Sequence, residues 1–353
     1  MYLSHILTWI IDETRLNQLL AGMPTWLLVL MIGVCIIVLS KGADWLVEGV
    51  VQLASRTGLP RIVIGATIVS LGTTTPEAVV SVTAAWMGSS GLALGNGVGS
   101  IIADTGLIFG LTCILTRVPV NRYILDRTGW IQVAAATLLV IIALTALVKT
   151  PVMPLLHRWV GFLFLALLGG YLYLSYLWAR KGLRLARQGE TATATTAGVP
   201  WALMLTLGGL FLVVLGARIL VPTAAEVAQR LGVPEDVVAA TMVALGTSLP
   251  ELMTALAAIR RGHPEIMVGN VVGADVLNCL FVIGAAAAAR PLQVPTNFYT
   301  FHFPAMIMIL YSFRIFIMIN RDNWFKRWQG FWLLGVYGVY IVLQYTLNVG
   351  QVH

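Results

Sequence analysis

Residues 65–77 read GATIVSLGTTTPE, and residues 239–251 read AATMVALGTSLPE. The two stretches lie 174 residues apart. The same offset pairs Gly58-Leu59-Pro60 with Gly232-Val233-Pro234, Gly95-Asn96-Gly97-Val98-Gly99 with Gly269-Asn270-Val271-Val272-Gly273, and Gly110 with Gly284. Roughly a third of the positions from Gly58 to Gly110 match their mates without a gap, so the chain carries a duplication and not merely a shared apolar bias.

The surrounding composition says where this duplication sits. Of 353 residues, 58% are apolar and 10% are charged. Soluble domains carry about a quarter charged residues, so a water-facing surface cannot be built from this chain. That excludes a soluble enzyme, a nucleic-acid module and a disordered tail. The net charge of +7 then belongs to loops beside a membrane, not to a nucleic-acid partner. Cys35, Cys113 and Cys279 are far apart and each lies in an apolar run, which supports neither a disulfide framework nor a zinc motif.

Apolar runs long enough to cross a bilayer occur at 25–54, 60–87, 91–116, 128–148, 156–179, 200–231, 235–259, 265–289, 299–318 and 329–348. They are continuous instead of alternating, which excludes a β-barrel. Loops after the odd-numbered spans hold 14 basic residues and those after the even spans hold 4. The odd loops are therefore expected in the cytoplasm, with both termini outside. The expected organisation is an interfacial segment at 1–23, a five-span half at 24–180, a cytoplasmic linker at 181–199 and a second five-span half at 200–349. Because five is odd, the copies cross the membrane in opposite senses. The expected fold is an all-α polytopic membrane protein with ten transmembrane helices as two inverted five-helix repeats, an arrangement typical of secondary transporters.

The duplicated turn has specific chemistry. Proline lacks an N–H and clashes with the carbonyl four residues back, here that of Gly72 or Gly246. Hydroxyls three and four residues before each Glu share its helical face: Thr73 and Thr74 before Glu77, Thr247 and Ser248 before Glu251. Carboxylate, hydroxyls and freed carbonyls form a set of hard oxygens suited to Na⁺ and Ca²⁺. A mid-span Glu is costly to bury, and its presence in both copies outweighs a simple proline kink. Gly95, Gly99, Gly269 and Gly273 form GxxxG faces for close helix packing. Asp104 and Asn278 occupy equivalent positions, four residues after Ser100 and Ala274. Asp275 stands where the first copy has Ile101, and is open to reading as a ligand, a proton site or a helix-interface group. Lys41, Asp44, Glu48, Arg218 and Glu226 read as interfacial or gate charges, and Arg314 as a snorkelling residue.

The paired segments resemble the α-repeats of the cation/Ca²⁺ exchanger superfamily, and most of all its sodium/calcium exchanger branch. The resemblance rests on A-T-x-x-x-x-G-T-[ST]-x-P-E at Ala66–Glu77 and Ala240–Glu251, on G-N-x-x-G followed by Asp or Asn, and on KGADWLVEG at Lys41–Gly49. It implies a midplane site between helices 2, 3, 7 and 8. The implied ion ligands are Ser70 (carbonyl), Thr73, Thr74, Glu77, Ser100 and Asp104, with Ala244 (carbonyl), Thr247, Ser248, Glu251 and Asn278, and Asp275 beside them. Glu77 and Glu251, with Thr73 and Thr247, would hold the divalent ion. Ala274 stands where the family often has Ser, and Asn278 where potassium-dependent members carry an acid. The short linker implies a compact prokaryotic form in the inner membrane, acting as a monomer without a cofactor, with Ca²⁺ and Na⁺ as cargo and the lipid bilayer as its surroundings.

The expected activity is antiport of Ca²⁺ against Na⁺ by alternating access, and not enzymatic catalysis. The nearest rival is exchange of H⁺ for Ca²⁺ or another divalent ion. A remote rival is an intramembrane aspartyl enzyme using Asp104 and Asp275, for which no nucleophile–base pair or GxGD stretch is found.

Overall fold

Backbone N–H and C=O groups cannot be left unpaired in lipid, so the apolar runs satisfy them internally as helices. A computed structural model describes residues 13–57, 59–120, 122–186, 198–232, 246, 248–320 and 322–346. Its helices are α1 (Glu13–Ala21), α2 (Thr25–Thr57), α3 (Arg61–Trp86), α4 (Ser90–Leu115), α5 (Arg122–Lys149), α6 (Arg158–Ala186), α7 (Val199–Arg230), α8 (Leu249–Arg260), α9 (Pro264–Ala289), α10 (Phe298–Ile319) and α11 (Arg327–Thr346). A two-residue antiparallel pair, β1 (Leu155–Leu156) with β2 (Leu292–Gln293), joins the loops before α6 and after α9.

Among the described residues, eight helices are long and apolar enough to cross a membrane. The seventh expected span, 235–259, lies partly outside the described residues, and α8 is its second half. The tenth expected span, 329–348, coincides with the 20-residue α11, which is not among those eight because its Trp, Tyr and Gln residues dilute its hydropathy. Most of the linker at 181–199 also falls outside the described residues, as do residues 1–12 of the N-terminal segment. The rest of that segment is α1, which packs Leu16 and Leu20 on Leu28 of α2.

Burial separates a centre from a shell. In their most apolar stretches α9, α4 and α3 are 83%, 72% and 61% buried, against 28% for α2 and 33% for α5, α6 and α7. The shell turns large apolar side chains outward, among them Val29, Leu30 and Ile37 of α2 and Phe162 of α6. A lipid solvent accepts this surface where water would not.

Small residues bring the central helices together. A Cβ on Gly269 of α9 would lie 2.1 Å from the Ile62 carbonyl of α3, and one on Gly273 would lie 2.5 Å from the Ala66 carbonyl. The second GxxxG face is therefore a close helix crossing. The region that would face the first copy's glycines in the same way, 236–240, lies outside the described residues. In the shell, α2 and α7 run side by side, with a Cβ on Gly209 only 2.4 Å from the Leu46 nitrogen. Gly88 and Gly262, again 174 residues apart, both have positive φ (87° and 76°) and close the α3–α4 and α8–α9 turns.

Candidate ion site at the centre of the bundle

The duplicated turn takes two local forms. In the first copy, Pro76 lies inside the continuous helix Ser70–Trp86, preceded by a π-helical turn at Gly65–Val69. In the second, Ser248 precedes the helix and Pro250 sits in its first turn, where the missing N–H is not needed. Glu251 thus stands in a first turn, where the helix dipole favours an anion, while Glu77 stands in mid-helix. α4 and α9 each relax into a π turn at equivalent positions, Asp104–Phe109 and Asn278–Ile283. Such turns open the helical ladder and recur at functional sites.

These elements bring most of the predicted residues to one buried region. Glu77, Glu251 and Asp104 are each 1% exposed, and Asp275 is 2% exposed. Ser70, Thr73, Thr74, Ser100, Ser248, Ala274 and Asn278 are buried with them. Ala244 and Thr247 lie outside the described residues. The copies interdigitate: Thr73 and Thr74 from the first neighbour Glu251, and Ser248 from the second neighbours Asp104. The Asn278 amide donates to Asp104 Oδ2 at 3.4 Å, joining two residues that occupy the same place in their repeats.

The polar inventory is incomplete in one direction. Among the described residues, both carboxylate oxygens of Glu77 and of Glu251, together with Asp104 Oδ1, Thr74 Oγ1, Ser248 Oγ and Asn278 Oδ1, are buried without a hydrogen-bond partner. The buried basic side chains among the described residues are Arg314 and His302, and they bond to Asp126 and Tyr340 instead. Buried carboxylates without a cationic side chain are strongly disfavoured unless a cation or proton joins them. Among the described residues no three His, Cys, Asp or Glu side chains group as a metal cage. The donors are mixed instead: the carboxylates of Glu77, Glu251 and Asp104 among hydroxyl and amide oxygens.

Two asparagines of the G-N motifs support the site and were not among the expected ligands. Asn96 Nδ2 donates to the Glu77 carbonyl at 3.0 Å and to Ser81 Oγ at 2.9 Å. Asn270 Oδ1 lies 3.4 Å from the Thr73 hydroxyl, which also lies 3.2 Å from the Val69 and Ser70 carbonyls. Their duplication at one offset was the available signal. Asp275 is different. Its Oδ2 accepts from Thr105 of α4 and from Gln132 of α5, while Oδ1 has no partner. Neither Thr105 nor Gln132 stood out in the sequence, because their repeat mates, Cys279 and Met306, are not hydrogen-bonding equivalents.

The charges nearer the ends are paired. Asp44 of α2 bonds to Arg260 and Arg261 at the end of α8, and Glu48 bonds to Arg261 at 3.3 Å. Arg61 bonds to Glu265 at 3.0 Å, with His263 beside them. Arg314 does not snorkel to water as expected: it is 5% exposed, because α5 supplies Asp126 as its partner at 3.2 Å.

A family profile described as sodium/calcium exchanger protein matches residues 27–177 and 201–346. The chain belongs to the sodium/calcium exchanger family. Sodium/calcium exchanger MaX1 of Methanosarcina acetivorans is 30% identical over 91% of this chain and 98% of its own length. Inner membrane protein YrbG of Escherichia coli is 30% identical over 90% and 96%. A solved structure of the sodium-calcium exchanger NCX_Mj, soaked with Na⁺ and Sr²⁺, superposes with a TM-score of 0.76 at 25% identity, covering 90% of this chain and 99% of that one. The exchanger is thus a membrane transporter by family, with its buried oxygens in the repeats that define the resemblance.

Proposed function

We propose that this exchanger is a secondary antiporter that carries Ca²⁺ one way and Na⁺ the other, by alternating access to one midplane site. The carrying observation is the pair of buried glutamates, Glu77 and Glu251, whose four carboxylate oxygens have neither a hydrogen-bond partner nor a basic side chain beside them among the described residues. Hard oxygens with uncompensated negative charge favour Na⁺ and Ca²⁺ over softer metals. One Ca²⁺ or several Na⁺ would neutralise the same carboxylates, so competition for shared oxygens couples the two fluxes.

Glu77 and Glu251, with Thr73 and Thr247, would hold the divalent ion. Ser70 and Ala244 through their carbonyls, and Thr74, Ser100, Asp104, Ser248 and Asn278 through side-chain oxygens, would complete the Na⁺ and Ca²⁺ positions. Asp275 would face the ions with Oδ1 while Oδ2 stays tied to α4 and α5. Every ligand in this reading comes from one chain, which supports a monomeric transport unit.

The ten-helix inverted topology, with both termini outside a prokaryotic inner membrane, completes the reading. α2 and α7 would move together across α3, α4, α8 and α9. Their close packing supports this, as does the contact of α7 with both turn glycines: a Cβ on Gly72 would lie 2.1 Å from Leu210, and one on Gly246 would lie 2.8 Å from Val221.

The test is uptake of labelled Ca²⁺ into proteoliposomes loaded with Na⁺. Uptake should follow the outward Na⁺ gradient and persist when the pH gradient is collapsed. Uptake that follows a proton gradient instead would assign the site to H⁺/Ca²⁺ exchange and overturn the Na⁺ reading.

A further inference from the structure

A second polar recess lies away from the buried carboxylates, where the start of α5 meets the end of α10. It is an open cavity of about 640 Å³ lined by Arg122, Asp126, Arg127, Trp130, Arg314 and Met318. Three guanidinium groups face one carboxylate, so the lining carries excess positive charge. Arg314 is its buried member. Its Nη1 donates to Asp126 Oδ1 at 3.2 Å and to the Leu125 carbonyl at 3.3 Å, and the guanidinium lies 4.5 Å from the Trp130 ring centroid. A recess lined by three guanidinium groups and one carboxylate favours an anionic occupant.

The recess is placed for a lipid. Arg314 is five residues from Ile319, the end of α10, or about 7.5 Å along the helix axis. That depth is where headgroups give way to acyl chains. The adjoining outer surface is apolar: Trp130, Ile315, Met318 and Ile319 are 52%, 49%, 55% and 58% exposed. A phosphate among the arginines and an acyl chain along Ile315 and Met318 would satisfy both parts of this surface, whereas a free anion would satisfy only the first. Basic pockets between membrane helices bind anionic headgroups by this combination.

We propose that the recess between α5 and α10 binds the phosphate headgroup of an anionic phospholipid from the adjacent leaflet. Arg122 and Arg127 supply charge at the mouth, Arg314 with Asp126 forms the inner wall, and Trp130 packs against both Arg314 and the lipid. Asp126 orients Arg314, and Arg122 Nη2 donates to the Asn320 carbonyl at 2.7 Å, which holds it beside the end of α10.

The experiment is native mass spectrometry of the full-length protein in detergent, titrated separately with phosphatidylglycerol and phosphatidylcholine. One phosphatidylglycerol should be retained with about tenfold or greater preference, and the Arg122→Gln/Arg127→Gln double variant should lose most of that preference. These exposed and half-buried positions are chosen because Arg314→Gln threatens folding; an unchanged melting temperature certifies the double variant. Equal retention of the two lipids, or an unaltered preference in a folded double variant, would overturn the proposal. Inorganic phosphate at millimolar concentration should leave the lipid bound; displacement by it would assign the recess to a soluble anion and equally overturn the lipid reading.

Discussion

The two copies of the glycine-rich central helix, 95–109 and 269–283, share glycines, an asparagine and a π turn, yet they place their acids differently. Asp104 of the first copy meets its own repeat mate, Asn278, and keeps one oxygen without a partner. Asp275 of the second has Ile101 as its mate and is gripped by Thr105 and Gln132, which the duplication does not supply in mirrored form. In-register polar residues converge on the centre, where the copies meet. An out-of-register acid has to find its partners on the neighbouring helices α4 and α5. Duplication therefore marks most of the proposed cargo ligands, whereas the out-of-register Asp275 has only Oδ1 to offer the ions because Oδ2 is committed to α4 and α5.

The largest effect should come from the fully duplicated pair. Glu77→Gln or Glu251→Gln should reduce Na⁺-driven Ca²⁺ uptake to background while leaving the melting temperature unchanged or raised, since a buried charge is removed. Full uptake in either variant would sink the assignment of both copies to one site.

Exchange of the mates is a sharper test. Asp104→Asn should raise the Na⁺ concentration needed for half-maximal exchange by about tenfold, or ~1.4 kcal/mol. Adding Asn278→Asp should recover much of the loss, because the acid returns to the same contact from the other side. A double variant no better than the single would show that the two positions are not equivalent.

Asp275→Asn should have a smaller effect, a few-fold fall in transport rate, and Gln132→Leu a similar one. Because the two residues are hydrogen-bonded, the double variant should cost less than the sum, with a coupling of about 0.5–3 kcal/mol measured by denaturation. Strict additivity would show that the Gln132 bond does not hold Asp275 in place.

Gly269→Val should leave ion selectivity intact and lower stability by about 1–3 kcal/mol, because its side chain would overlap the α3 backbone at Ile62. The melting temperature checks this, and unaltered stability would mean that the α3–α9 crossing accommodates a side chain at position 269.

The smallest effect concerns pH at the α8–α9 turn. Burial, and then the Arg61 charge, hold the His263 imidazole below its ordinary value of 6.5, with Glu265 acting the other way and Arg261 adding to the depression. His263 is therefore neutral in the folded protein at pH 7. Below pH 6.5 the unfolded chain takes up the proton first, so stability falls with acidification until the folded group also titrates. His263→Gln should flatten that part of the curve of melting temperature against pH; an unchanged slope would remove His263 from the account.

Much of this protein was legible before any coordinates. The 174-residue offset, the continuous apolar runs and the basic loops led to the membrane class, and the offset singled out Glu77, Glu251, Asp104 and Asn278. These survive as linear signals because duplication preserves residue type at fixed spacing, and because lipid imposes helices on any spanning run. The G-N motifs also contain Asn96 and Asn270, but spacing alone could not show that one bonds to the Glu77 carbonyl and the other lies beside Thr73. Tertiary structure alone decided the partners of Asp275, the buried pairing of Arg314 with Asp126 and the different roles of Pro76 and Pro250. Each depends on which helices touch, and that is set by the close approach of small residues on separate spans, a distance that no local pattern encodes.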